Sequence, residues 1–229
     1  MRTIFVTGSV KGLGKEIARH FIESGERVII HYNTSEELAK EFYSESKSIN
    51  DNVLLVHGDL TDEDQVKKIF QEIKQSFGKL DVLINNVGSF LYKPLNETEF
   101  SDFKNVIETN LYSVFLCSKE AIKIMNDSGH IINIGCISCD KSFIGKNTTP
   151  YYISKNGVYL LTRLMAKEFG VRVNMVSPGI LENSVVKISD KYCEYRDIIN
   201  VIEFLLSEKS KKITGANIEV SSGWSPSLF

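Results

Sequence analysis

From its third residue onward the chain alternates short apolar runs with longer stretches of helical period, in strict succession. Thr3 to Thr7 precedes a helical pattern over Gly14 to Ser24, Val28 to Tyr32 precedes Glu36 to Ser46, and Val53 to His57 precedes Asp62 to Phe77. The series continues with Asp81 to Asn85, a long helical segment from Glu97 to Met125, Ile131 to Ile134, Tyr151 to Phe169, Arg172 to Val176, Ile198 to Ser207 and Ile218 to Val220. Strands separated by helices join a sheet in parallel, because each crossover returns the chain to the same end of the sheet. The runs are apolar throughout rather than at every second residue, as strands buried on both faces must be. The pattern predicts an α/β fold: a doubly wound parallel sheet with helices on both faces.

The punctuation agrees. Thr61 or Asp62 can cap the helix after the third strand, and Gly78 and Gly25 stand where helices should stop. The 229 residues, 42% hydrophobic, suffice for one domain spanning 1–229, and no linker or repeat divides them. Pro178 to Tyr195 lacks a clear period and is expected to form a short substrate loop. No apolar run is long enough to span a membrane and no signal peptide is apparent, so a cytoplasmic protein with no membrane partner is expected. A net charge of −2 without a basic run offers no footprint for nucleic acid. The four cysteines, 117, 136, 139 and 193, are expected to be free thiols, and the expected partner is a small molecule.

Directly after the first strand comes TGSVKGLG, with glycines at 8, 12 and 14 and a helix opening inside the motif. Glycine lets backbone turn sharply and approach a pyrophosphate, and the helix terminus offers free N–H groups. A glycine turn alone can be mere tight packing, but after the first strand of a regular βαβ series it points to a dinucleotide held by Gly8, Val10, Lys11, Gly12, Leu13 and Gly14. The second strand ends His31-Tyr32-Asn33 with no acidic residue to bind the ribose hydroxyls and repel a 2′-phosphate. With Lys11 in the turn, NADP(H) is favoured over NAD(H), with Tyr32 and Asn33 at the ribose. His31 and Asn33 can equally be polar residues at a strand edge.

These residues, together with N85-N-V-G88, Asn110 in ETNLYSVF, Y151-Y-I-S-K155 and Pro178-Gly179, resemble the short-chain dehydrogenase/reductase family along nearly the whole chain. The resemblance implies a Rossmann-like sheet of about seven strands and an NADP-dependent oxidoreductase that reduces a carbonyl or oxidises a secondary alcohol. Within the family the chain is similar to 3-oxoacyl-(acyl-carrier-protein) reductase-like members, with pteridine, sugar and ketone reductases as alternatives. It further implies cofactor contacts from Asp59, Leu60, Asn86, Gly88, Tyr151, Lys155, Pro178, Gly179 and Ile180. Asn110 is implied as a water-anchoring catalytic residue, and no metal is required. A homodimer or homotetramer is implied, built on the segments from Glu97 and Tyr151, which carry Val106, Leu111, Val114, Phe115, Leu160, Leu161 and Leu164.

On a helix Tyr151 and Lys155 lie one turn apart on one face, where the ammonium should lower the phenol pKa toward the range useful for proton transfer. Tyr152 is three residues from the same lysine, and spacing alone does not exclude it. The family's carbonyl-binding serine has two candidates here. Strand register, I-N-I-G-C, selects Cys136, whereas counting back 13 residues from Tyr151 selects Ser138, which is also the better hydrogen-bond donor. Cys136-Ile-Ser-Cys139 spells C-x-x-C, but the histidines at 20, 31, 57 and 130 supply no second ligand pair, so two thiols flanking a loop are expected. Tyr92, Phe143, Tyr192 and Trp224 are candidate pocket residues. The chain is trimmed at MNDSGH and KEFGVRVN, where carrier-protein reductases are longer and often basic. A rival reading is a non-catalytic NADP-binding sensor or scaffold, supported by the altered serine position.

Overall fold

The computed structural model, which describes residues 1–141, 145–182, 184 and 192–224, turns every apolar run into a strand. They are β1 (Thr3–Val6), β2 (Arg27–Tyr32), β3 (Val53–His57), β4 (Leu80–Asn85), β5 (Met125–Ile134), β6 (Arg172–Pro178) and β7 (Asn217–Val220). All pair in parallel in the order β3-β2-β1-β4-β5-β6-β7. The helices are α1 (Gly12–Glu23), α2 (Glu36–Ile49), α3 (Glu63–Phe77), α4 (Phe100–Ile107), α5 (Ser113–Ala121), α6 (Thr149–Glu168) and α7 (Tyr195–Leu206).

Period-two side-chain alternation explains why the strands are apolar throughout. Ile4 and Val6, Val28 and Ile30, and Val82 and Ile84 face a core shared with α1, α2 and α7. Phe5, Ile29 and Leu83 between them face a second core, against α3, α5 and α6. Each such side chain taken fully out of water contributes roughly 1.5–3 kcal/mol, so a polar residue on either face would be costly.

Capping settles the helix ends. Asp62, not Thr61, caps α3 by accepting from the backbone N–H groups of Asp64 and Gln65, and Gly78 closes it at φ 77°. Reciprocal capping between Glu194 and Asp197 starts α7 three residues before the apolar pattern indicated. The segment expected as one helix from Glu97 to Met125 is broken: a 3-10 turn (Leu95–Glu97) and α4 lead into a π turn (Glu108–Tyr112), then α5. Met125 already pairs with Leu80, and after an irregularity His130 resumes the ladder opposite Val82. Across the expected substrate loop, Cys193 N–H donates to the Ile180 carbonyl (2.8 Å) and Glu182 N–H to that of Cys193 (3.2 Å), tying its ends together; residues 183 and 185–191 lie outside the described residues.

His31 and His130 are each 1% exposed in this core. Burial, joined at His130 by the Arg172 charge, lowers their pKa values to about 4 and about 3. Below pH 6.5 the unfolded chain takes up protons that the folded chain refuses until those values. The stability they contribute is therefore whole above pH 6.5 and drains as pH falls. For His31 alone a gap of roughly 2.5 pH units corresponds to about 3 kcal/mol. Urea unfolding at about pH 7, 6 and 5, above most carboxylate titration, should show a falling midpoint at constant m-value; an unchanged midpoint would contradict this.

Candidate active site

Strand order reverses between β1 and β4, and the crevice at their carboxyl ends is where an open parallel sheet holds a ligand. One wall is the glycine turn. Gly8 sits at φ 62°, a left-handed conformation that suits glycine. At Gly14 a Cβ would run into the Gly8 carbonyl and the Asn86 amide, so α1 can approach the turn only without a side chain there. The α1 terminus has no side-chain cap and no acidic residue in its first turn, which leaves N–H groups and the positive dipole end for a phosphate. Asn86 secures the turn through its Nδ2, which donates to the carbonyls of Thr7 (3.0 Å) and Gly8 (3.2 Å).

Gly8, Val10, Lys11, Leu13, Gly14, Tyr32, Asn33, Asp59, Leu60, Asn86 and Gly88 line this cleft. Gly12, at φ 55°, shapes the turn beside it. Pro178 ends β6, with Gly179 and Ile180 following. One Asp59 carboxylate oxygen is occupied by the Thr61 N–H and hydroxyl, both at 2.8 Å. Near the tip of β2, Lys40 is paired with Glu36 at 2.8 Å, whereas exposed Lys11 joins no ion pair among the described residues. The cradle therefore fits a dinucleotide, with Lys11 available to an extra phosphate.

Three chain segments meet at the other end. Lys155, buried in α6, donates from Nζ to the Ile134 carbonyl at the tip of β5 (2.8 Å). Asn110 lies in the π turn and is fully buried. Its Oδ1 accepts from Ser89 N–H (2.6 Å), and its Nδ2 donates to the Ser89 carbonyl (3.0 Å) and Ser154 Oγ (2.9 Å). A Cβ on Gly88 would stand 3.3 Å from Asn110 Oδ1 and 3.4 Å from Lys155 Nζ, so both groups border the same space.

Tyr151 is half-buried in the first turn of α6, with the Lys155 ammonium 6.0 Å from its ring centroid. Burial, then the neighbouring Cys136 and Tyr152, raises its pKa well above the ordinary phenol value. The expected lowering by Lys155 is not met, because desolvation dominates and the ammonium is turned to a backbone carbonyl. Burial likewise lowers the Lys155 pKa. The phenol therefore holds its proton at neutrality, the state a proton donor needs. Tyr152 is 9% exposed and packed among Cys136, Cys139, Val158 and Met175, which makes it a core residue.

The β5–β6 ladder runs on past Ile134: Gly135 N–H donates to the Val176 carbonyl (2.8 Å) and Ile137 N–H to that of Pro178 (3.0 Å). That register places the Cys136 thiol beside the Tyr151 phenol. Ser138 instead occupies a tight turn at φ 59°, closed by Cys139 N–H to the Cys136 carbonyl (3.3 Å), with its own N–H given to Glu219 (2.7 Å). The longer separation from the tyrosine is thus taken up after Cys136. All four cysteines are free and buried.

Sequence reasoning missed Phe90, whose ring meets that of Tyr151 edge-on at 4.9 Å while remaining 49% exposed. Its only signal is its place just past N-N-V-G. It also missed Ser89 and Ser154, which hold Asn110 by contacts between distant segments. Tyr92 and Tyr192 are exposed, Trp224 is half-buried, and Phe143 lies outside the described residues.

A profile of the family described as enoyl-(acyl carrier protein) reductase matches residues 8–225. The chain is 33% identical over 245 aligned residues to the 3-oxoacyl-(acyl-carrier-protein) reductase FabG of Staphylococcus aureus, covering 97% of each. To that of Staphylococcus epidermidis it is 31% identical, covering 97% and 98%. Among solved structures, a mutant short-chain dehydrogenase/reductase of Serratia marcescens superposes with a TM-score of 0.90 at 26% identity, over 97% of each chain. A Burkholderia cenocepacia dehydrogenase with bound NADP superposes with a TM-score of 0.88 at 27% identity, over 98% and 93%.

Replacing Gly14 by Ala should destabilise the protein by roughly 1–3 kcal/mol, because the Gly8 backbone and the Asn86 amide that holds it must move. Urea unfolding of G14A checks this; unchanged stability would show that the contact can relax freely.

Proposed function

The chain belongs to the short-chain dehydrogenase/reductase family, and on that premise we propose that it is an NADP(H)-dependent reductase of ketone carbonyls, working as a single domain over 1–229. The oxidoreductase class, acting on CH–OH or carbonyl groups, follows from the family. The observation that carries the finer reading is the meeting of Asn110 and Lys155 beside Gly88, which lines the cleft, with Tyr151 one turn from that lysine and an uncapped helix terminus at the glycine turn.

Bound NADPH would supply the hydride to the carbonyl carbon. Tyr151, whose phenol holds its proton at neutrality, gives that proton to the carbonyl oxygen. The Cys136 S–H offers that oxygen a second, weaker hydrogen bond from the position where the family places serine. Lys155, steadied by the Ile134 carbonyl, stabilises the phenolate left behind and reaches the nicotinamide ribose. Asn110 keeps the Ser89 backbone and the start of α6 in place.

Lys11 and the non-acidic tip of β2 support NADP(H) over NAD(H). The reductases named among the relatives make a 3-oxoacyl thioester the first substrate to test, with pteridines, sugars and simple ketones next. Of the residues expected to build a dimer or tetramer, Val106 and Val114 are core, whereas Phe115, Leu160 and Leu164 are exposed, joined by Tyr112 and Ile153. The exposure of these apolar side chains supports self-association. No helix among the described residues is long and apolar enough to cross a membrane. The second reading, a sensor that binds NADP without efficient turnover, draws on the thiol at the serine position.

Oxidation of NADPH with 3-oxoacyl thioesters and ketones separates the two readings. Tyr151→Phe should abolish turnover and leave NADPH fluorescence titration unchanged; a fully active Y151F protein would overturn the assignment. Cys136→Ala should lower kcat by about tenfold and Cys136→Ser should match or exceed the wild type, since one donor to a developing oxyanion is at stake. Ser138→Ala should stay near wild type, and a larger loss there than in C136A would reverse the two roles.

A further inference from the structure

His31 is the one histidine lining the cleft, and the proton-transfer chemistry does not use it. Its ring lies between the two walls of the adenosine end. Nδ1 accepts from Gly8 N–H at 3.0 Å, and Nε2 lies 2.9 Å from the Gly58 carbonyl. Because the first contact needs an acceptor and the second a donor, the hydrogen resides on Nε2, and only a neutral imidazole in that tautomer serves both. The backbone repeats the connection: His31 N–H donates to Ser9 Oγ (2.9 Å) and Ser9 N–H to the His31 carbonyl (3.0 Å). Gly8 belongs to the turn, and Gly58 immediately precedes Asp59 and Leu60 on the opposite wall.

We infer that His31 is a positioning residue for the cofactor: its imidazole bridges the glycine turn and the loop after β3, holding the walls of the adenosine pocket at a fixed separation. This rests on the cleft being the dinucleotide site. It also explains why the Gly8 N–H cannot serve a phosphate directly, since the ring already occupies it, leaving that task to the α1 terminus. The ring is far from Tyr151 in the chain and contacts none of the reacting groups, so its influence falls on binding and not on proton transfer.

Graded replacements test the bridge. Asn carries an acceptor one bond from Cγ, as Nδ1 is, and can keep the Gly8 contact. Gln carries an N–H donor two bonds from Cγ, as Nε2 is, and can keep the Gly58 contact; Leu keeps neither. With NADPH and the fragment 2′,5′-ADP as probes, His31→Leu should weaken both by about tenfold or more, and His31→Asn and His31→Gln should fall between it and the wild type. The KM for NADPH should rise in step while kcat changes less than about twofold. If H31L does not fold, the Asn and Gln variants alone decide, because each removes one half of the bridge. Lower thermal stability with unchanged affinity for both probes would overturn the inference and leave His31 a core residue only. A wild-type protein that binds neither probe would remove the cofactor reading and this inference together.

Discussion

Ile4, Phe5 and Val6 of β1 pair with Val82, Leu83 and Ile84 of β4, and the order of the sheet reverses across this ladder. The chain leaves β1 toward α1 on one face and leaves β4 toward α4 and α5 on the other. The two carboxyl ends therefore part, and a crevice opens that no sheet hydrogen bond can fill. Its walls are cross-linked by polar contacts: Thr7 Oγ1 accepts from the N–H groups of Asn86 (2.9 Å) and Val87 (3.1 Å), and the Asn86 side chain returns two donors to the turn. A slip of one residue in this pairing would exchange the two cores and dismantle the site at once.

The end of the cleft proposed for catalysis depends on the same sheet through a different route. An ammonium and an amide are buried there, and each would be destabilising without partners. Lys155 is satisfied by a carbonyl at the end of β5, and Asn110 by the Ser89 backbone and Ser154. The π turn that carries Asn110 breaks an otherwise regular helix, and such insertions concentrate at functional sites. The side chains that look like chemistry are thus held by main-chain groups whose positions the strands set.

Much of this arrangement is legible in the sequence because it depends on local patterns. Continuous apolar runs mark doubly buried strands, the glycines at 8 and 14 mark a turn that must close tightly, and a four-residue spacing places Tyr151 and Lys155 on one helical face. Other features are not legible because they depend on groups far apart in the chain. The phenol pKa is set by burial against Cys136, not by the lysine one turn away. The competition between Cys136 and Ser138 turns on where the β5–β6 ladder ends, which counting residues from Tyr151 cannot reveal. His31 reads as a polar strand-edge residue until the folded chain brings Gly8 and Gly58 to its two nitrogens.

By itself, the sequence determined the α/β class, the identity of the strands, the glycine turn after the first of them and the placing of Tyr151 and Lys155 on one helical face, since periodicity and short spacings are properties of neighbouring residues. Only the tertiary structure decided that Cys136 lies beside the phenol, that Asn110 sits in a π turn, and that the Lys155 ammonium gives one of its donors to a carbonyl. These are outcomes of long-range packing and desolvation, whose energies depend on what surrounds a side chain and not on what precedes it.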